Sequence, residues 1–253
     1  MHPGVKPGIV TIHLRGPSVS AIIYNLATGL LMHKFIKLCY TLRKLFLGAG
    51  GDMGKFIWLA IYFSVLIWSG INPKDTYTWF LEVLPALIGL VILVLTYRSF
   101  PLTPLVYTLI LIHCVILMVG GHYTYAEVPL FDWIRDATHG TRNNYDKLGH
   151  FMQGFDPAMI AREILIRKRV VNGAAWRNFF IICFCLAFSA FYELIEWAVA
   201  EMSGDSAEAF LGTQGYVWDT QSDMAFALLG AILALLLLSR LHDKQLRHLS
   251  LYA

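Results

Sequence analysis

The chain has 253 residues, of which 57% are hydrophobic and 15% charged, and its formal net charge is +3. A soluble domain of this length needs more charge to cover its surface, so the composition excludes an ordinary soluble globular protein. The small net charge gives no indication of a nucleic-acid partner. The apolar excess instead predicts an integral membrane protein whose main partner is the lipid bilayer.

Residues 1–52 form a predicted N-terminal extension. The stretch 19–32 is apolar but too short to span a bilayer comfortably. The stretch 33–46 mixes basic and apolar residues, which predicts an amphipathic helix at the membrane surface, or else a poorly ordered segment. A third interpretation is that the native protein begins at Met53, because an ordinary apolar span follows that residue directly.

Six later segments are mostly apolar and close to the roughly 20 residues that a membrane-spanning helix needs. They cover residues 56–71, 79–97, 105–121, 147–166, 179–200 and 222–239. We therefore predict that residues 53–253 form an all-α domain, a bundle of about six transmembrane helices.

The fourth predicted span is the most polar of the six. A helix with this many ionisable side chains must face the bundle or a wet cavity rather than lipid. Pro157 predicts a kink or a re-entrant shape within it. Arg162 and Glu163 are adjacent, so they do not face each other, and we expect their side chains to extend to the membrane surface.

Lysine and arginine residues predict the orientation of the bundle. They crowd the region before the first span, the connection between spans four and five, and the C-terminal tail. The connection 201–221 has no lysine or arginine. Because cytoplasmic loops carry an excess of these residues, we predict that both termini are cytoplasmic and that 121–146 and 201–221 lie outside.

Acidic and imidazole side chains from spans four, five and six are predicted to meet near the outer side. Asp146 and His150 are four residues apart and share a helix face. At about 1.5 Å of rise per residue, the three helices bring such groups to nearly one depth. The predicted cluster consists of Asp146, His150, Glu193, Glu196, Asp219 and Asp223.

Several carboxylates cannot all remain charged and unpaired inside a membrane, and three solutions exist. They bind a divalent cation such as zinc, manganese or magnesium; they share protons in a relay; or they pair with Lys147 and Arg142 as structural contacts. For the first solution, the predicted metal ligands are Asp146, His150, Glu196, Asp219 and Asp223. Glu193 is then the predicted general base, and His150 also has a catalytic role.

The first functional hypothesis is a site at the outer face that acts on an amphipathic or lipid-linked envelope substrate. If the protein is an enzyme, a bound cation would polarise a phosphoryl or acyl oxygen or activate water. The runner-up is a transporter or proton-coupled channel that uses the same carboxylates. A third class is a non-catalytic membrane assembly protein, which would use its outer loops as an interface.

Five stretches carry a resemblance to a known family: GGHYTY at residues 120–125, RNNYDKLGHF at 142–151, ELIEW at 193–197, GTQGY at 212–216 and WDTQSD at 218–223. They resemble the YjdF-like bacterial inner-membrane proteins, a family of unknown function. The resemblance covers residues 56–240. More loosely, the order of Asp-Lys-x-x-His, a glutamate helix and an aspartate-rich helix start is similar to VanZ-like proteins. Both resemblances imply a multi-pass protein of the bacterial inner membrane, and neither supplies a reaction.

The predicted topology is tested by reporter fusions. Fusions at Arg169 and at the C-terminus are expected to report the cytoplasm, and a fusion at Ser206 is expected to report the outer side. A cytoplasmic signal at Ser206 would contradict both the topology and the outer location of the polar cluster.

Overall fold

A computed structural model describes residues 53–203 and 213–250. These residues form seven helices and no strand: α1 Met53–Ser69, α2 Thr76–Thr96, α3 Pro104–His122, α4 Pro129–Ala137, α5 Tyr145–Arg167, α6 Ala174–Ser203 and α7 Asp219–Ser250. Six of them coincide with the six predicted spans. The short helix α4 was not predicted, and the predicted N-terminal extension lies outside the described residues.

The helices differ in whether they are long and apolar enough to cross a membrane. Four of the described helices, α2, α3, α6 and α7, are long and apolar enough to cross a membrane. Helix α1 is apolar but has only 17 residues, and α5 is more polar than the other predicted spans. The protein is thus an all-helical membrane protein, whereas the count of six spans stays a prediction.

Helix α5 packs against α3, α6 and α7. Thirteen of its 23 residues are buried, including the consecutive residues 152–154, which point in three directions. Its polar side chains therefore meet protein rather than lipid, as the cost of intramembrane charge requires. The helix continues through Pro157, so the predicted re-entrant shape is wrong: one missing N–H does not outweigh the packing on either side.

Two glycines allow the backbones of α5 and α7 to come into direct contact. A Cβ atom added to Gly154 would lie 1.8 Å from the carbonyl oxygen of Ala227, and one added to Gly230 would lie 2.1 Å from that of Phe151. Small residues allow this close packing between membrane helices. The contact holds the first turns of α5 beside the first turns of α7, where most of the polar cluster lies.

Hydrogen bonds between loops gather the connections at one end of the bundle. The amide of Lys74 donates to the carbonyl of His122 at 3.0 Å. The Lys74 ammonium also donates to Glu127, and this hydrogen bond raises the pKa of the lysine. Asn143 and Gln214 exchange two hydrogen bonds of 2.9 and 2.8 Å. We call this end, with loops 70–75, 123–144 and 213–218, the site end.

Arg162 and Glu163 are buried at the opposite end, with 2% and 0% of their surface exposed. Glu163 accepts a hydrogen bond of 2.7 Å from the Thr103 hydroxyl and lies 3.0 Å from Nε2 of His242. Arg162 donates to Asp243 at 2.7 Å. The expectation that this pair extends to the membrane surface is therefore wrong. Helix α7 continues beyond the predicted end of its span and supplies two of the partners, His242 and Asp243.

The backbone contact at Gly154 predicts opposite effects of one added methyl group at two helix glycines. Gly154→Ala should lower the melting temperature in detergent, because overpacking a tight contact costs about 1–3 kcal/mol. Gly89→Ala is the matched control, since a Cβ there meets nothing within 4 Å. Alanine is also the better helix former, so this variant should match or exceed the wild type. Equal stability of the two variants would contradict the close α5–α7 contact.

Candidate functional site

Asp146, His150 and Asp223 form the centre of the site. One ligand atom from each lies within 4.8 Å of the other two, and all three residues are buried. Nε2 of His150 is 3.3 Å from Oδ1 of Asp146 and 3.9 Å from Oδ1 of Asp223. The spacing of four residues on α5 places the first two together, and the packing of α7 on α5 brings the third.

The contact of the second ring nitrogen of His150 indicates which tautomer this residue adopts, and therefore which ligand the triad of Asp146, His150 and Asp223 can bind. Its Nδ1 lies 3.0 Å from Oε1 of Gln153. A carbonyl oxygen only accepts, so this contact assigns the proton of a neutral ring to Nδ1. The lone pair on Nε2 then faces two carboxylates, which is repulsive unless a cation or a proton lies between them. One imidazole nitrogen and two carboxylates are a suitable donor set for zinc, manganese or magnesium.

Glu193 and Glu196 extend the acidic group from α6. Oε1 of Glu193 is 3.6 Å from Nδ1 of His150. This oxygen is buried and has no hydrogen-bond partner among the described residues. Glu196, one turn later, is also buried and contributes to the wall of the same open cavity as His150. Glu193 therefore has an acceptor oxygen available for a ligand or a water molecule.

Asp219 lies beside the triad but is occupied by two basic residues. Nζ of Lys147 is 2.6 Å from Oδ1 of Asp219 and 2.6 Å from Oδ1 of Asp223. Arg142 donates to the same Asp219 oxygen at 2.7 Å. Lys147 thus links the two aspartates of α7 to α5. Of the predicted ligands, Asp146, His150 and Asp223 meet directly, whereas Asp219 joins them through this lysine.

The charges around the triad do not balance. Six buried carboxyl groups lie in this region, against the two permanent cations Arg142 and Lys147 and one histidine. The carboxyl groups belong to Glu82, Asp146, Glu193, Glu196, Asp219 and Asp223. Unpaired buried charge is costly, so the site requires either additional protons or an added cation.

Sequence reasoning missed two residues near the site. Glu82 is 5% exposed on α2, and Tyr125 is 6% exposed after α3. The sequence could have identified Glu82, because a carboxylate within an otherwise apolar membrane span is energetically costly and indicates a functional role. Tyr125 explains two glycines: a Cβ on Gly120 or Gly149 would lie 2.3 or 2.9 Å from its ring. These glycines make room for an aromatic wall next to the acidic group.

A cavity of about 1340 Å³ leads from the acidic group along the bundle. Its site end includes Glu82, Asp146, His150 and Glu196. Most of the remaining wall is apolar and comes from α2, α3, α5 and α6, for example Ile88, Leu93, Ile164, Phe184 and Phe188. Lys168 and Phe100 lie at its opposite end. A volume of this size accommodates a hydrocarbon chain as well as a polar group.

Comparisons with known proteins agree with the membrane architecture. Residues 54–244 match the family described as "Predicted membrane protein (DUF2238)". The chain is 52% identical over 187 residues to "Inner membrane protein YjdF" of Escherichia coli (strain K12), covering 74% of this chain and 90% of that protein. No solved structure matches the chain. The predicted resemblance and the inner-membrane location are thereby confirmed, and the chain belongs to the DUF2238 family of YjdF-like inner-membrane proteins.

Proposed function

We propose that the protein binds a divalent cation at Asp146, His150 and Asp223 and acts on an amphipathic or lipid-linked envelope substrate. The observation that carries the proposal is that one cavity combines an apolar part with a buried acidic part. An apolar space of about 1340 Å³ leads into a buried acidic group with a candidate set of metal donors. A ligand that fills both parts has a polar head and a hydrocarbon chain.

Each site residue has a defined role in this proposal. A cation held by Asp146, His150 and Asp223 would polarise a phosphoryl or acyl oxygen of the head group or activate water, and Glu193 would serve as general base through its unpartnered oxygen. Glu196 is an additional ligand from the cavity wall. Asp219 holds Lys147 in place rather than binding the cation, because two basic residues already neutralise it.

The site end is proposed to face the outer side of the inner membrane. The support is the distribution of lysine and arginine, which is dense before α1, between α5 and α6 and after residue 239. The site-end loops alternate with these basic regions along the chain. In this orientation both termini are cytoplasmic, six helices cross the bilayer, and head groups of the outer leaflet lie at the level of the site.

A proton-coupled or transport function receives less support from the cavity wall. On α5 the polar side chains of the wall end at Asp156, and Ile160, Ile164 and Leu165 follow before Lys168. A transport path needs polar or hydrated groups to continue across the membrane. The polar part of this cavity is continuous with one end only, which favours a one-sided binding or catalytic site.

Cation binding predicts a metal-dependent gain in stability. In detergent, zinc or manganese at about one hundred times its Kd should stabilise the wild type by about 2.7 kcal/mol, because it binds the native state. His150→Gln and Asp223→Asn should lose this gain. Glu127→Gln is the matched control, since this glutamate lies at the same end of the bundle and pairs with Lys74 outside the triad.

Metal analysis of the purified proteins gives the independent readout. We expect cation in the wild type and in Glu127→Gln, and its loss in the two site variants. If all four proteins melt alike with and without each metal, the cation proposal fails. Lower stability of the site variants without any metal effect would instead indicate purely structural ion pairs.

The cavity is tested by filling it. Gly89 lies on the cavity wall and has open space beyond it, so Gly89→Trp should occupy the cavity without disturbing the triad. We expect this variant to lose at least ten-fold in affinity for tetradecyl phosphate, measured in micelles of a nonionic detergent. Val91→Trp is the control, because Val91 is 55% exposed on the same helix and is not part of the cavity wall. If Gly89→Trp and Val91→Trp bind tetradecyl phosphate with equal affinity, the hydrocarbon chain of the probe does not occupy this cavity.

A further inference from the structure

A second polar position lies deeper in the cavity, between α3 and α5. Nδ1 of His113 is 3.2 Å from Oδ2 of Asp156, and both residues contribute to the cavity wall. The side chains are 13% and 5% exposed. This pair is separate from the acidic group, and the cation proposal does not use it.

Asp156 has an oxygen that the described protein leaves unsatisfied. Its Oδ1 is buried and has no hydrogen-bond partner among the residues described, while Oδ2 is used by His113. A buried acceptor left unpaired is destabilising, so such an oxygen indicates a partner that is not part of the protein. Ile110, Leu117 and Ile160, on the neighbouring wall, are apolar and offer this oxygen no donor.

The helix geometry gives the depth of this pair below the proposed cation. Asp156 follows His150 by six residues on the continuous helix α5, which corresponds to about 9 Å along the axis. Gln153 lies between them on the cavity wall and already contacts His150. A ligand whose head reaches the triad therefore passes His113 and Asp156 with the part of its chain about 9 Å farther on.

We propose that His113 and Asp156 bind a hydroxyl or N–H group carried by the chain of the substrate, about 9 Å from its head group. This inference rests on the proposed function and specifies the substrate class: an amphiphile with a hydrogen-bond donor in its apolar part. Oδ1 of Asp156 accepts the donated hydrogen bond, and His113 holds the carboxylate in position through Oδ2. A simple hydrocarbon chain leaves Oδ1 unsatisfied and binds more weakly.

The test compares two probes that differ by one hydroxyl group. One is tetradecyl phosphate, and the other carries a hydroxyl on its sixth carbon, which in an extended chain is about 9 Å from phosphorus, like the spacing on α5. The wild type should bind the hydroxylated probe about ten-fold more tightly, as expected for one additional buried hydrogen bond. In Asp156→Leu and in His113→Phe this ratio should fall to about one.

Ser189→Ala is the matched control, because Ser189 is a fully buried polar residue of α6 that is not part of the cavity wall. It should keep the wild-type ratio. A purely structural role of the His113–Asp156 pair would lower stability in the variants without changing the ratio, and that result would overturn the inference. A wild-type ratio near one would also overturn it, since Oδ1 then accepts only from water.

The outcomes separate this inference from the proposed function. If tetradecyl phosphate binds and Gly89→Trp blocks it, the cavity binds an amphiphile as proposed. If the hydroxyl group then has no effect on affinity, the inference about His113 and Asp156 is wrong. If neither probe binds the wild type, both proposals fail together. If Asp156→Leu does not fold, His113→Phe measures the same ratio while retaining the carboxylate, and a wild-type ratio in that variant contradicts the proposed pair.

Discussion

Lys147 of α5 lies between two carboxylates of α7, and the packing of these two helices depends on that buried contact, because it supplies partners for their charges. Breaking a buried ion pair from one side costs about 3–5 kcal/mol, since the remaining charge stays desolvated. Helices α3, α6 and α7 pack against α5, and α5 and the first turns of α7 neutralise each other's charges. The arrangement explains why a helix this polar stands at the centre of an apolar protein.

The same contact produces the candidate site. Gly154 and Gly230 bring the α5 and α7 backbones together, so that Asp223 reaches the face of α5 that carries Asp146 and His150. Lys147 neutralises part of the acidic group but leaves the triad, Glu193 and Glu196 with excess negative charge. Structural pairing and cation binding are thus complementary: the lysine fixes α7, and the cation proposed here compensates the negative charge that remains after the lysine has paired with Asp219 and Asp223.

The sequence was sufficient for the helices and for most members of the site, because hydropathy and the cost of buried charge are both local properties of a segment. It did not indicate which carboxylate pairs with which base. Asp219 and Asp223 are four residues apart and looked equivalent, yet only the packing of α7 shows that Asp219 also meets Arg142. Arg162 was misplaced for the same reason: its partner Asp243 lies 81 residues away. Helix α4, with nine residues, is too short for its pattern to stand out from a loop.

The long sequence distance between Lys147 and its partners has a consequence for biogenesis. Asp219 and Asp223 follow the lysine by 72 and 76 residues, so they are synthesised after α5 has left the ribosome. During that interval Lys147 lacks the two α7 carboxylates that pair with it in the folded protein, although Asp146 and Arg142 are already present. In the proposed six-span topology, the complete set of partners for Lys147 forms only after α7 emerges, so we expect α5 and α7 to settle in the bilayer together rather than in succession.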